Sequence, residues 1–207
     1  MGNLFRPGSP LMRTMMLITN LICVNALWLI CCIPVVTAGA STVAMYSVLH
    51  GYLHGDDEVV KPFFRAFKEN FWQVTPLWLV NLLIGAVMVA EIFYLSVGAQ
   101  MWLKVVFGVV LFIYAAASSY LYPILARYET TRNKAIFNSF ALATRHLLSS
   151  VCVVTMNFLP VVLAFGFEGL FRSTVLFWLL AGFSLAAYIN LKILMVVFKK
   201  YDPPEES

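Results

Sequence analysis

The stretch from Leu27 to Thr42, LWLICCIPVVTAGAST, begins as an unbroken apolar helix, meets Pro34, and dissolves into small residues before the chain turns apolar again. Its reading fixes the number of membrane passes. No full charge occurs from Thr14 to Gly55. At ~1.5 Å per residue, one helix of that length would be roughly 63 Å long, about twice the ~30 Å hydrocarbon core of a bilayer. One crossing cannot use that length, whereas two crossings joined near Pro34–Gly39 can. A helix usually ends at or before the residue preceding proline, and Pro34 falls where the first helix should reach the outer surface. Thr37 or Ser41 is then expected to cap the next helix. Gly39, Ala40 and Ser41 are small enough to let the paired helices approach closely. An outer turn is the favoured reading; the alternative is a break inside the bilayer whose free N–H groups face a ligand, as in broken-helix transporters.

Working outward, the rest of the chain is of the same kind. It is 61% hydrophobic and 12% charged, against roughly a quarter charged in soluble domains. Further uncharged runs cover Val74–Ala90, Val105–Ala126, Leu147–Phe167 and Ser173–Leu191. In lipid the backbone must satisfy its own hydrogen bonds, which imposes helices. The class is therefore all-α: a polytopic membrane protein with about six transmembrane helices, expected at 14–35, 38–54, 74–97, 102–126, 148–168 and 173–196. The first apolar run exceeds the ~7–15 residues of a signal-peptide core, so it is expected to be retained. Six passes with a cytoplasmic N-terminus leave two of the 14 Lys and Arg residues outside, Lys104 and Arg172, as the positive-inside rule requires. Both termini are then cytoplasmic, in the cytoplasmic membrane, and residues 1–207 form one integral membrane domain ending in a short polar tail from 198.

Two inside loops carry amphipathic patterns. In VVKPFFRAFKENFW, Val60, Phe63, Phe64, Phe67 and Phe71 share a face, with Lys61, Arg65, Lys68 and Glu69 opposite. In RNKAIFNSFALATRHLL, Ile136, Phe137, Phe140, Thr144, Leu147 and Leu148 share a face, with Lys134, Asn138 and Arg145 opposite. Basic aromatic helices of this kind lie in the membrane interface or dock on a partner. Two cytoplasmic interfacial helices are expected, with Phe63, Phe64, Phe67, Phe71, Phe137 and Phe140 as the contact residues. Lys61, Phe64 and Phe67 match Lys134, Phe137 and Phe140 at a constant offset, which suggests a degenerate parallel repeat over about 38–97 and 102–168.

Ligand-site candidates are the polar residues of the crossings. Glu91 is the acid well within a predicted helix, readable as an interfacial ion pair with Lys104 or Arg172 or as a coupling carboxylate. Asn20, Asn25, Asn81, Asn157 and Asn190 fall in crossings, where amides serve packing or, converging on one cavity, bind hydroxyls. With Thr37, Gly39 and Ser41 at the helix break, Asn81, Glu91 and Asn157 make up the candidate set. His50 and His54 stand one turn apart without a third ligand fixed by any motif. The four cysteines (Cys23, Cys31, Cys32 and Cys152) match no metal or redox spacing. Hydrolase, metalloprotease and phosphate-loop motifs are lacking, so neither enzyme activity nor a cofactor or metal is expected, and nothing points to nucleic acid.

Three segments carry a resemblance: NALWLICCIPVVTAGAST, MYSVLHGYLHG and FFRAFKENFWQ. Together they resemble the YesL family of bacterial membrane proteins, a domain-of-unknown-function family. Its most specific part is the pattern of Trp28, Pro34, Thr37, Gly39 and Ala40. Members are often encoded beside carbohydrate ABC importers, sensors and polysaccharide-degrading enzymes. The resemblance implies a non-catalytic accessory or scaffold role in carbohydrate uptake or sensing, with the lipid bilayer and an ABC-type carbohydrate transporter or sensor kinase as partners; no ligand residues are carried over. The alternative is a small-solute transporter with a site near the Pro34–Gly39 break.

Overall fold

A computed structural model describes residues 10–96, 98 and 100–201; Arg6 and the end of the polar tail lie outside the described residues. The helices are α1 (Pro10–Cys32), α2 (Ala38–Leu53), α3 (Val60–Ser96), α4 (Met101–Arg127), α5 (Arg132–Arg145), α6 (Leu147–Gly166), α7 (Glu168–Phe177) and α8 (Phe183–Phe198). A 3₁₀ turn (Val35–Thr37) precedes α2, and a π-helical segment (Trp178–Gly182) joins α7 to α8. No strand occurs among the described residues. Among the described residues, five stretches are long and apolar enough to cross a membrane: Leu11–Cys32, Val60–Ile92, Met101–Arg127, Leu147–Ala164 and Arg172–Phe198.

Hydrogen bonds between helices give their directions. Trp28 and Ser41 meet across the first turn, where Ser41 Oγ donates to the Trp28 carbonyl at 3.1 Å, so α1 and α2 form a hairpin. α3 runs back along α2, with Gly39 against Trp78 at one end and Gly51 beside Asp56 at the other. Asn81 faces Tyr114 and Ser118 while Arg132 meets Trp72, which makes α4 antiparallel to α3. Asn157 pairs with Asn190 and His146 with Tyr201, which makes α8 antiparallel to α6. The start of α1, the α2–α3 loop, the α4–α5 loop and the end of α8 therefore gather at one end of the bundle.

α2 is the axis. Its 16 residues span ~24 Å, too short for the ~30 Å core without help. Gly39, Ala40, Ser41, Val43 and Ala44 are buried, as are Met45, Tyr46, Val48 and Leu49, and α1, α3, α4 and α8 all pack on it. Lipid offers no hydrophobic drive between helices, so close contact comes from small side chains. Gly39 shows this most sharply: a Cβ there would lie 2.4 Å from Trp78 Cβ. At its other end α2 closes with Gly55 at φ +98°, as Asp56 N–H donates to Gly51 O and Gly55 N–H to Tyr52 O, both at 3.1 Å. This is the paired-bond ending that favours glycine.

The structure corrects the expected interfacial helix in the first of the two inside loops. Val60–Ser96 is one continuous helix, ~55 Å long, and the aromatic segment is its first third. Pro76 would be expected to break it, because proline removes the N–H that bonds the carbonyl four residues earlier. That carbonyl belongs to Trp72, and Arg132 Nη2 donates to it at 2.6 Å. Gln73 Nε2 donates to Thr130 O at 2.7 Å alongside. The first residue of α5 thus replaces the missing donor, and the loop before it is fastened to α3.

Burial is uneven. Two core clusters occupy the end of the bundle around α2, one built on Tyr46, Leu49, Phe63 and Leu191, the other on Val43, Tyr120, Ile124 and Phe198. From Thr75 to Tyr114 no described residue is buried. The outer halves of α3 and α4 instead present Leu79, Leu83, Val87, Val105 and Val109 outward, an apolar surface suited to acyl chains.

Candidate functional site

The site begins with a defect in a helix. A π-helical turn takes one extra residue and leaves backbone groups without their α-helical partners. Asn25 on α1 satisfies them: its Nδ2 donates to the carbonyls of Trp178 (3.2 Å) and Leu179 (2.7 Å), and its Oδ1 accepts from Ser184 N–H (3.0 Å). Ser184 Oγ adds a bond to Leu21 O at 2.8 Å. The Trp178 ring lies over Gly182, where a Cβ would meet it at 2.5 Å. Trp178 then stacks obliquely on Phe183 (5.5 Å between centroids), and Phe183 on Trp28 (5.1 Å). Trp28 Nε1 donates to Thr42 Oγ1 at 3.1 Å, tying this aromatic wall to α2.

A polar cluster forms a second wall between α3 and α4. The Tyr114 hydroxyl donates to the carbonyl of Asn81 at 2.6 Å and also contacts the Asn81 side-chain oxygen. Ser118 Oγ reaches Asn81 Oδ1 at 3.3 Å, and Asn81 Nδ2 donates to the Tyr122 hydroxyl at 3.3 Å. A third group runs from α4 to α8: Asn157 Nδ2 donates to Ser119 Oγ (2.9 Å) and Asn190 Nδ2 to Asn157 Oδ1 (2.7 Å).

These groups surround a cavity of about 920 Å³, lined by α1, α2, α3, α4, α6, the π segment and α8. Among the described residues its lining carries no Asp, Glu, Lys, Arg or His. Small-molecule sites are typically ~300–1,000 Å³ and mostly apolar with a few placed polar groups, and this cavity has that character. Pro160 belongs to its wall, as does Met156, whose carbonyl loses its intrahelical donor to that proline.

Of the residues expected to bind a ligand, Asn81 and Asn157 both line the cavity. The other four do not. Gly39 is packed on Trp78. The hydroxyl of Thr37 donates back to the carbonyls of Cys31 (2.5 Å) and Pro34 (2.7 Å), and that of Ser41 to Trp28. Neither caps α2, whose start has no side-chain cap bond; both instead tie off carbonyls at and just beyond the end of α1. Glu91 is exposed on α3, and among the described residues no salt bridge joins it to Lys104 or Arg172; the ion pair found is Lys61–Glu58, 3.8 Å. The Pro34–Gly39 turn itself is held at Val35, whose carbonyl accepts from Trp78 Nε1 at 2.7 Å. Trp78 is 18 residues short of Ser96, ~27 Å along α3, so the turn lies beside the middle of α3 and not level with its end.

The contact phenylalanines divide. Phe63 is fully buried against α2, so it cannot meet a partner; Phe67 and Phe71 are half-buried and Phe64 is exposed. On α5 the small residues Ala135, Ser139 and Ala143 face inward, leaving Phe137 at 71% and Phe140 at 51% exposure. His50 and His54 stack at 4.4 Å, with His54 Nδ1 2.8 Å from the His50 carbonyl oxygen. Groups of three or more potential metal ligands do not occur among the described residues.

Sequence reasoning missed Trp28, Thr42, Tyr114, Ser118, Tyr122 and Trp178. Tyr114, Ser118 and Tyr122 recur every four residues in an uncharged run, a polar stripe on one helix face, and that signal was present. The place of Trp178 depends on the π segment and had no sequence signal. A family model described as a protein of unknown function, DUF624, matches residues 21–92, from the middle of α1 through most of α3. No curated protein matches the chain, and no solved structure does.

Proposed function

We propose that this chain is a non-catalytic accessory protein of the cytoplasmic membrane, related to the YesL family and associated with carbohydrate uptake or sensing. The match to DUF624 over the first three helices is consistent with that kinship. In this reading α2 is a sixth crossing, both termini are cytoplasmic, and α5 lies at the inner surface as the contact element for an ABC-type carbohydrate transporter or sensor kinase. The observation that carries it is the inversion of α5. A helix that needed only to cover the bundle would bury its large apolar side chains. This one attaches through Ala135, Ser139 and Ala143 and turns Ile136, Phe137, Phe140 and, just beyond, Leu147 and Leu148 outward, flanked by Arg132 and Lys134. Exposed aromatics ringed by polar residues mark interaction surfaces.

Purification in mild detergent tests this. The native chain is expected to retain a carbohydrate ABC transporter subunit or a sensor kinase, and the Phe137→Ser/Phe140→Ser variant to lose it at unchanged expression. Recovery of neither partner, or equal recovery with the variant, contradicts the reading.

The cavity favours a second reading, in which the bundle itself holds a small ligand. Its site is then the space bounded by Asn81, Tyr122, Asn157 and Trp178, displaced from the Pro34–Gly39 break. Reconstituted vesicles that neither bind nor move any tested solute would argue against transport.

A further inference from the structure

The geometry points to an uncharged lipid as the ligand of the cavity: an apolar chain carrying one or two oxygen acceptors, of the diacylglycerol type, entering sideways from the bilayer. This rests on the second reading, that the cavity is a ligand site, but not on transport.

The first argument is charge. Among the described residues no acidic or basic side chain lines the space, so a phosphate or ammonium headgroup would be buried without a counter-ion. The second is the count of available hydrogen bonds. Asn81 is engaged by Tyr114, Ser118 and Tyr122, Asn157 by Ser119 and Asn190, and Trp28 by Thr42. Among the described residues, few donors remain at the wall: Asn81 Nδ2 and Asn157 Nδ2 each give one of two protons within the protein and keep the second. The Tyr122 hydroxyl accepts from Asn81 and keeps its own proton to give. Trp178, 6% exposed, has its Nε1 buried without a hydrogen-bond partner. A sugar brings many hydroxyls and would leave most of them unpaired against Leu82, Val89, Leu111 and Val161, which costs more than it gains. A glycerol ester or a single hydroxyl matches so few donors.

The third argument is access. Leu82 and Val89 on α3 and Phe158 and Val161 on α6 line the cavity and are exposed residues. α3 and α6 do not form a packed pair, so the space between them opens onto the same apolar surface that the outer halves of α3 and α4 present. A ligand arriving there comes from the acyl chains and not from water.

Reconstitution into phosphatidylcholine vesicles tests the proposal, with tail-brominated diacylglycerol or tail-brominated phosphatidylcholine as quencher at equal bromine content. The Trp178 contribution to fluorescence is the difference between the native chain and Trp178→Phe. Brominated diacylglycerol is expected to quench that contribution more than brominated phosphatidylcholine does. The excess is expected to vanish in Ala86→Phe, which places a ring in the lining from α3. Should Trp178→Phe fail to fold, total fluorescence of the native chain against Ala86→Phe gives the same comparison. Equal quenching by the two lipids means contact with bulk lipid only and overturns the proposal. Absence of quenching by either lipid, or an excess that survives Ala86→Phe, overturns it as well. Preferential quenching in vesicles that move no solute would leave the lipid site standing while transport fails.

Discussion

Asn25 shows how much one side chain carries in this bundle. Both of its amide arms serve the backbone of the π segment, donating to two carbonyls and accepting from one N–H. Loss of a partner leaves a buried backbone group unsatisfied, at ~1–3 kcal/mol. Asn25→Leu is therefore expected to lower stability by about that amount and to release the Trp178 ring, read as unfolding in detergent by circular dichroism and as a shifted tryptophan emission. Unchanged stability and emission would show that the π segment holds without it. Arg132 makes a sharper case because its role depends on another residue. Arg132→Ala is expected to cost ~1 kcal/mol, but close to nothing in a Pro76→Ala background, where the introduced alanine supplies the helical N–H donor for the Trp72 carbonyl. Additive losses in that double-mutant cycle would contradict the account. Asn81 and Asn157 were legible as cavity residues because an amide in an uncharged run needs a partner. Thr37 and Ser41 were legible only as polar groups near a helix start. That they look back to the end of α1 follows from the tightness of the Pro34 turn, which brings orphan carbonyls within reach.

At the scale of elements, the five helices long and apolar enough to cross a membrane, among the described residues, were legible because a bilayer demands length without charge, and the uncharged runs supply it. What the sequence concealed is continuity and facing. The aromatic segment before Val74 has the period of a separate helix, yet Pro76 does not interrupt α3, since the needed donor comes from the first residue of α5, 56 residues further on. The second aromatic segment does stop, at His146 with ψ 59°, so the two halves of the suggested repeat differ at the joint that would make them alike. Facing is decided by size. On α5, small residues allow a close approach to α4, and the phenylalanines that periodicity would place inward are left outside. On α3, Phe63 is inside because α2 offers it a cleft. The same reasoning predicts the outcome at the α2–α3 contact. Gly39→Leu must separate the helices at Trp78 and is expected to cost ~1–3 kcal/mol, whereas Gly98→Leu, with open space around it, is expected to be neutral. Equal effects of the two substitutions on detergent-solubilised thermal stability would remove close packing as the explanation.

The whole molecule joins a dense end, built around a short buried helix, to an open end where α3 and α6 stand apart across a cavity. The dense end holds the chain together, and the open end leaves space for a ligand without disturbing the core. Both properties depend on how the helices alternate, because that alternation gathers the start of α1, the α2–α3 loop, the α4–α5 loop and the end of α8 at one side. The most direct test is single-cysteine labelling in a background where Cys23, Cys31, Cys32 and Cys152 are replaced. A membrane-impermeant maleimide applied to intact cells is expected to modify cysteines placed at Gly98 and Gly169 and to spare those at Gly55, Glu129 and Tyr201 until the membrane is opened. Labelling of positions 55 and 98 from the same side would contradict the arrangement.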